Sequence, residues 1–166
     1  ASRFEDITLI QLLLDAGSDI NAHERYGYTP LMFSMKKGTP EKTFLLIDSG
    51  AKVDFKTKNN KSPLIYALEQ RNAIDTIRQL LEAGANVNLQ GANKKSPFMI
   101  AAQKYTDVKT LSLLLEHGAD ANLKDKWGFT ALYYAAGFGT NLEKLKLLLD
   151  AGGDPMVVNS SGYTPL

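Results

Sequence analysis

Apolar residues along this chain fall into short stripes at helical spacing. Leu132, Tyr133, Ala135 and Ala136 form one stripe, and Leu142, Leu145, Leu148 and Leu149 form the next. Steps of three and four residues mark a helix with one buried side. The stretch from Lys126 to Gly152 therefore predicts a tight turn at Gly128 and a first helix capped by the Thr130 hydroxyl. A short connection then leads to a second helix, stopped by Gly152 in the left-handed conformation glycine tolerates.

The same unit recurs along the chain. Glycine stops fall at Gly17, Gly50, Gly84, Gly118 and Gly152, separated by 33, 34, 34 and 34 residues. The helix starts keep step: Thr29-Pro30-Leu31, Ser62-Pro63-Leu64, Ser96-Pro97-Phe98, Thr130-Ala131-Leu132 and Thr164-Pro165-Leu166. Each places an N-cap hydroxyl before the first helical position, where proline loses nothing by lacking an N–H. From each glycine stop to the next start is a constant 13 residues. The one-residue length difference thus lies inside the helix pair, at the connection where Gly38 and Gly139 give way to Arg71 and Tyr105.

A fixed period of this length is the mark of a repeat protein. The Thr-Pro-Leu starts and the endings Gly118-Ala119-Asp120-Ala121-Asn122, Gly84-Ala85-Asn86-Val87-Asn88 and Gly17-Ser18-Asp19-Ile20-Asn21 resemble an array of ankyrin repeats. The resemblance covers essentially all of the chain. It implies an all-α solenoid of stacked helix-turn-helix units with projecting β-hairpin loops, the first helix of each pair lining a concave face. On that pattern the single domain 1–166 divides into a partial repeat 1–24, repeats 25–57, 58–91, 92–125 and 126–159, and a partial repeat 160–166. Departures are visible. Met32, Ile65, Met99 and Tyr133 replace the family's usual histidine, and Asn60 and Lys94 stand at the turn glycine, where lysine tolerates φ > 0 less well than asparagine. Residues 5–16 supply only a second helix and the chain stops as a sixth unit starts, so a fragment of a longer array is expected.

Composition narrows the function. An apolar share of 44% suffices for a core, and the formal charge of +1 selects no partner by itself. Cysteine is absent, which removes disulfides and thiolate chemistry. No apolar run reaches the roughly 18 residues of a membrane span, and the start of the chain carries no signal-peptide core, so a cytoplasmic protein is expected. The two histidines, His23 and His117, are too far apart in sequence for a local metal pair. No nucleophile elbow, phosphate loop or zinc helix is present. Asp120 and Asp154 follow glycine stops, where a turn accounts for them. Asn21 resembles the asparagines that cytoplasmic hydroxylases modify in ankyrin repeats, though a turn accounts for it equally. No catalytic, cofactor or metal role is assigned, and a non-enzymatic chain is expected.

Function is then expected on the surface the repeats leave free. The predicted fingers and first helices carry eleven basic residues against Glu24, Glu69 and Asp125, a net of +8, leaving −7 on the remainder. Such a face would steer an acidic partner, although solvated lysines on turns also serve solubility alone. Tyr26 and Trp127 precede the turn glycine, where the family usually has a small polar residue. Binding energy concentrates in Trp, Tyr and Arg. The expected partner-binding residues are Arg25, Tyr26, Lys58, Lys61, Lys95, Lys126, Trp127, Phe129, Tyr133 and Phe138. Tyr134 is expected in the core, because it shares its repeat position with Phe33, Tyr66 and Ile100. The reading is a monomeric protein–protein interaction module with an acidic protein as the fitting partner and no membrane contact. Binding of nucleic acid or another anionic ligand, or regulation of an enzyme in the same parent chain, are the alternatives.

Overall fold

The computed structural model describes residues 2–37, 40–71, 73–104, 108–137 and 141–165, with side chains for residues 7–36 and for those from 40 onward. The described residues form nine α-helices and no strand. In chain order they are α1 (Ser2–Asp15), α2 (Pro30–Lys37), α3 (Pro40–Asp48), α4 (Pro63–Glu69), α5 (Ile74–Glu82), α6 (Pro97–Lys104), α7 (Lys109–Glu116), α8 (Ala131–Gly137) and α9 (Leu142–Asp150). The first helices α2, α4, α6 and α8 pack in succession, and so do α1, α3, α5 and α7. Each first helix also packs on the second helix that follows it. The result is the all-α solenoid the repeat implies.

Local chemistry sets most helix ends. Ser62 Oγ accepts from Ile65 N–H at 3.3 Å, Ser96 Oγ from Met99 N–H at 3.2 Å and Thr29 Oγ1 from Met32 N–H at 3.4 Å. Thr130 departs from expectation: its hydroxyl is buried and meets no hydrogen-bond partner among the described residues. Ala131 does not pin φ as Pro30, Pro63 and Pro97 do, and the cap there is open. The five glycine stops all take φ between +80° and +89°, as a left-handed C-cap requires.

Burial grows toward the middle of the stack. Every residue from Pro63 to Leu68 and from Pro97 to Ala102 is buried, because α4 and α6 each have a first helix on both sides. The second helices bury one side only: α5 covers Thr76, Ile77, Leu80 and Leu81, and α7 covers Thr110, Leu111, Leu113 and Leu114. Lys144 of α9, 3% exposed, reaches the last turn of α6 and donates to the Ala102 carbonyl at 2.9 Å. Burial holds its pKa below the ordinary lysine value.

Asparagines in the repeat endings join one unit to the next. The Oδ1 atoms of Asn21, Asn88 and Asn122 accept from the backbone N–H groups of Lys52, Asp120 and Asp154 at 2.8, 2.9 and 2.9 Å, and Asp54 does the same for Asn86 at 3.0 Å. Asn88 and Asn122 also donate to the carbonyls of Gly118 and Gly152. This contact is a structural role for Asn21. His117 likewise ends α7, its Nδ1 2.9 Å from the Leu113 carbonyl oxygen.

Between units the chain projects as short fingers: 24–28, 57–61, 91–95, 125–129 and 159–163. Each is closed by one backbone hydrogen bond from its first residue's N–H to its last residue's carbonyl, at 2.9–3.1 Å. A single rung is too short to make a strand, which is why the expected hairpins register as turns. Neighbouring fingers are tied by Lys58 N–H to Tyr26 O (3.0 Å), Lys126 N–H to Asn93 O (2.8 Å) and Ser160 N–H to Trp127 O (2.9 Å). The first finger is thus joined to the second, and the third to the fourth and fifth.

Candidate functional site

The fourth finger is built on a buried carboxylate. Asp125, 5% exposed, accepts at Oδ1 from the N–H groups of Trp127 (2.8 Å) and Phe129 (2.9 Å), and at Oδ2 from the Tyr134 hydroxyl (2.8 Å). Burial and that bond raise the Tyr134 pKa well above an ordinary tyrosine. Tyr134 is 9% exposed, in the core as expected, as are Tyr66 and Ile100. Phe33 is not: it is 49% exposed.

Above that anchor the finger presents aromatic surface. Trp127 is 41% exposed, with Lys126 Nζ 4.9 Å from its ring centroid. Phe129 and Tyr133 are half-buried and stack on each other with centroids 4.3 Å apart, and the Tyr133 hydroxyl accepts from Asn159 Nδ2 at 3.2 Å. Phe138 lies outside the described residues. The first finger repeats the theme: Tyr26 is 56% exposed and the Arg25 guanidinium lies 5.9 Å from its ring. There Glu24 takes the place of Asp125, its Oε1 accepting from the N–H groups of Tyr26 and Tyr28 at 2.8 and 3.1 Å.

The basic residues split into two sets. Lys61 and Lys95 stand eight residues before a polar residue on the following first helix and bend down onto it. Lys61 Nζ pairs with Glu69 Oε2 at 2.6 Å, and Lys95 Nζ donates to Gln103 Oε1 at 2.5 Å while lying 4.0 Å from the centre of the Tyr134 ring. Glu69, through that hydrogen bond, raises the Lys61 pKa, whereas burial beside an uncharged amide lowers that of Lys95. Lys104 and Lys56 donate to the carbonyls of Glu69 and Gln90. Arg25, Lys58, Lys94, Lys124 and Lys126 are exposed on or beside the fingers. Five exposed cations thus stand on or beside the finger tips.

Sequence reasoning counted Asp125 only as an opposing charge and missed it as an anchor. The signal was available: Glu24, Asp125 and Asn159 each stand two and four residues before the N–H groups they bind, the spacing of a side-chain-closed turn. Among the described residues no group of three metal-binding side chains occurs, and no helix is long and apolar enough to cross a membrane.

A stack of two-helix units joined by fingers defines a helical repeat solenoid. The chain belongs to the ankyrin repeat family: the model for ankyrin repeats (3 copies) matches residues 1–91 and 98–166. Relatives include the ankyrin repeat, SAM and basic leucine zipper domain-containing protein 1 of Colobus guereza, 38% identical over 72 residues. That match covers 43% of this chain and 15% of the relative. A putative ankyrin repeat protein of fowlpox virus (strain NVSL) is 32% identical over 77 residues, covering 46% of this chain and 11% of that protein. The chain therefore matches only a small part of either relative's length. Ankyrin repeats are in general protein-interaction modules, and the family is in general non-catalytic.

Proposed function

We propose that this chain is a non-enzymatic binding module that takes an acidic segment of a protein partner across its finger tips and concave side. Trp127 on the fourth finger and Tyr26 on the first serve as apolar anchors. The observation that carries the reading is the pairing of two exposed finger aromatics with cations of their own fingers, Lys126 at Trp127 and Arg25 at Tyr26. Backbone hydrogen bonds hold those fingers before any partner arrives, which lowers the ordering cost of association. The setting for this role is a monomer in the cytoplasm.

A polyphosphate or nucleic-acid ligand fits less well. It would draw on the same lysines, yet Lys56, Lys61, Lys95 and Lys104 already bond to groups within the chain. Selection of peptides from a random displayed library on the immobilised domain tests the proposal. The expected winners carry several Asp or Glu residues with at least one aromatic. Salt should weaken them mildly, not with the steep slope of phosphate contacts. Winners without acidic enrichment would contradict the reading.

A further inference from the structure

Beside the first finger lies a cavity of about 410 Å³. Tyr26, Tyr28, Phe33 and Tyr66 form its aromatic wall, and Lys36 and Lys61 add two cations. The Tyr28 ring sits edge-on to Tyr66 with centroids 5.6 Å apart and 6.0 Å from Phe33, so the wall is prearranged. Tyr66 is buried beneath it, while Tyr26 and Phe33 are half open to solvent. That leaves an aromatic slot with a floor and an entrance.

The charge around the slot favours an anion beside the inserted group. Its one carboxylate, Glu24, faces the backbone N–H groups of Tyr26 and Tyr28. Lys61 is held by Glu69, leaving Lys36, exposed on α2, as the cation presented at the rim. Aromatic walls also attract cations, but here a cation would meet Lys36 at the rim. A ring offers offset and edge contacts to the tyrosines, and the volume suits one such side chain.

We propose that this slot receives an aromatic side chain of the partner's acidic segment, the ring entering between Tyr26, Tyr28 and Phe33 and an adjacent carboxylate resting on Lys36. The site rests on the reading of the finger side as the partner surface and adds what the partner must carry there. Tyr28, Phe33 and Tyr66 lie outside the surface inferred from the sequence.

Two small probes of opposite charge, phenylacetate and phenethylamine, test it by titration into the whole chain followed by backbone amide NMR. Phenylacetate should move the signals of Tyr26, Tyr28 and Phe33 saturably, with a dissociation constant on the order of millimolar, the scale open to a ligand of that size. Phenethylamine should bind markedly more weakly. Phe33→Ala, at a half-exposed position, should abolish the phenylacetate shifts, and Lys36→Glu should weaken them about fivefold and reverse the preference. Unmoved signals at Tyr28 and Phe33, or equal binding of the two probes, would overturn the proposal. Acidic peptides that need Trp127 but bind Phe33→Ala undiminished would remove the slot and leave the finger reading standing. Saturable phenylacetate binding on a domain that selects no acidic peptide would support the slot and remove the finger reading.

Discussion

The third and fourth fingers close with the same pair of backbone hydrogen bonds but are built from opposite materials. In the fourth, the Asp125 carboxylate gathers two backbone N–H groups and the Tyr134 hydroxyl, and Gly128 takes φ +84°. In the third, Gly91 offers no side chain, and Asn93 and Lys94 adopt φ +57° and +59°. Gln90 substitutes from outside the turn, its Nε2 donating to the carbonyls of Lys94 (2.5 Å) and Lys124 (2.9 Å). The fourth finger is fastened from within and can hold a large aromatic outward. The third is fastened from its flank and carries Cβ strain, and its exposed residues are Ala92, Asn93 and Lys94. A repeat thus specifies a turn's shape without specifying how it is held, and the manner of holding decides what the finger can display.

The sharpest way to break that contrast is to remove the internal fastening. Asp125→Ala should destabilise the domain by about 3 kcal/mol in urea unfolding, since it frees a buried tyrosine hydroxyl and two N–H groups at once. Asp125→Asn, which keeps the Oδ1 acceptor, should cost about 1 kcal/mol. A loss no larger than that for Asp125→Ala would deny the carboxylate its anchoring role.

Exchanging the turn residues should move the two fingers in opposite directions. A Cβ on Gly128 would sit 3.1 Å from Asn159 Cα at a φ that side chains avoid, so Gly128→Ala should cost about 2 kcal/mol. Lys94→Gly should gain about 1 kcal/mol by releasing the same strain. Equal signs for the two changes would mean that strain is not what separates them.

A finer contrast joins the second and third fingers. Lys61 on Glu69 and Lys95 on Gln103 occupy the same place one unit apart, with a charged acceptor in the first and an uncharged one in the second. Lys61, its pKa raised, adds stability that is present below about pH 10.5 and is lost as pH climbs through its raised value. Lys95, its pKa lowered, gives up its proton sooner in the folded chain than in the unfolded one. Stability linked to it therefore rises with pH just below 10.5. NMR titration of the lysine side chains should show Lys95 deprotonating before Lys61. Gln103→Glu should reverse that order at Lys95 and add about 0.5 kcal/mol near neutral pH. An unchanged Lys95 titration in that variant would refute the pairing.

What could be read from the sequence was what depends on neighbours along the chain. The caps at Ser62 and Ser96, the left-handed glycine stops and the positive φ of Asn60 (+58°) all follow from residue type at a fixed spacing. What depends on distance in space was hidden. Phe33 shares its repeat position with buried Tyr66, yet is half exposed. Lys61 and Lys95 look like finger charges, yet each spends its ammonium on a helix eight residues on. Thr130 has the same cap residue type as Thr29, but its hydroxyl meets no hydrogen-bond partner among the described residues. The aromatic slot escaped notice for the same reason, since Tyr28, Phe33 and Tyr66 meet only when two units stack.

If the well-fastened fourth finger is the one that holds a partner, Trp127 is where that shows most directly. The dissociation constant of a selected acidic peptide, measured by calorimetry on the native chain and on Trp127→Ala, should rise about thirtyfold, the factor that corresponds to about 2 kcal/mol at a binding hot spot. The unfolding midpoint should stay within experimental scatter, because Trp127 is 41% exposed. An unchanged dissociation constant would contradict the assignment of the partner surface to these fingers.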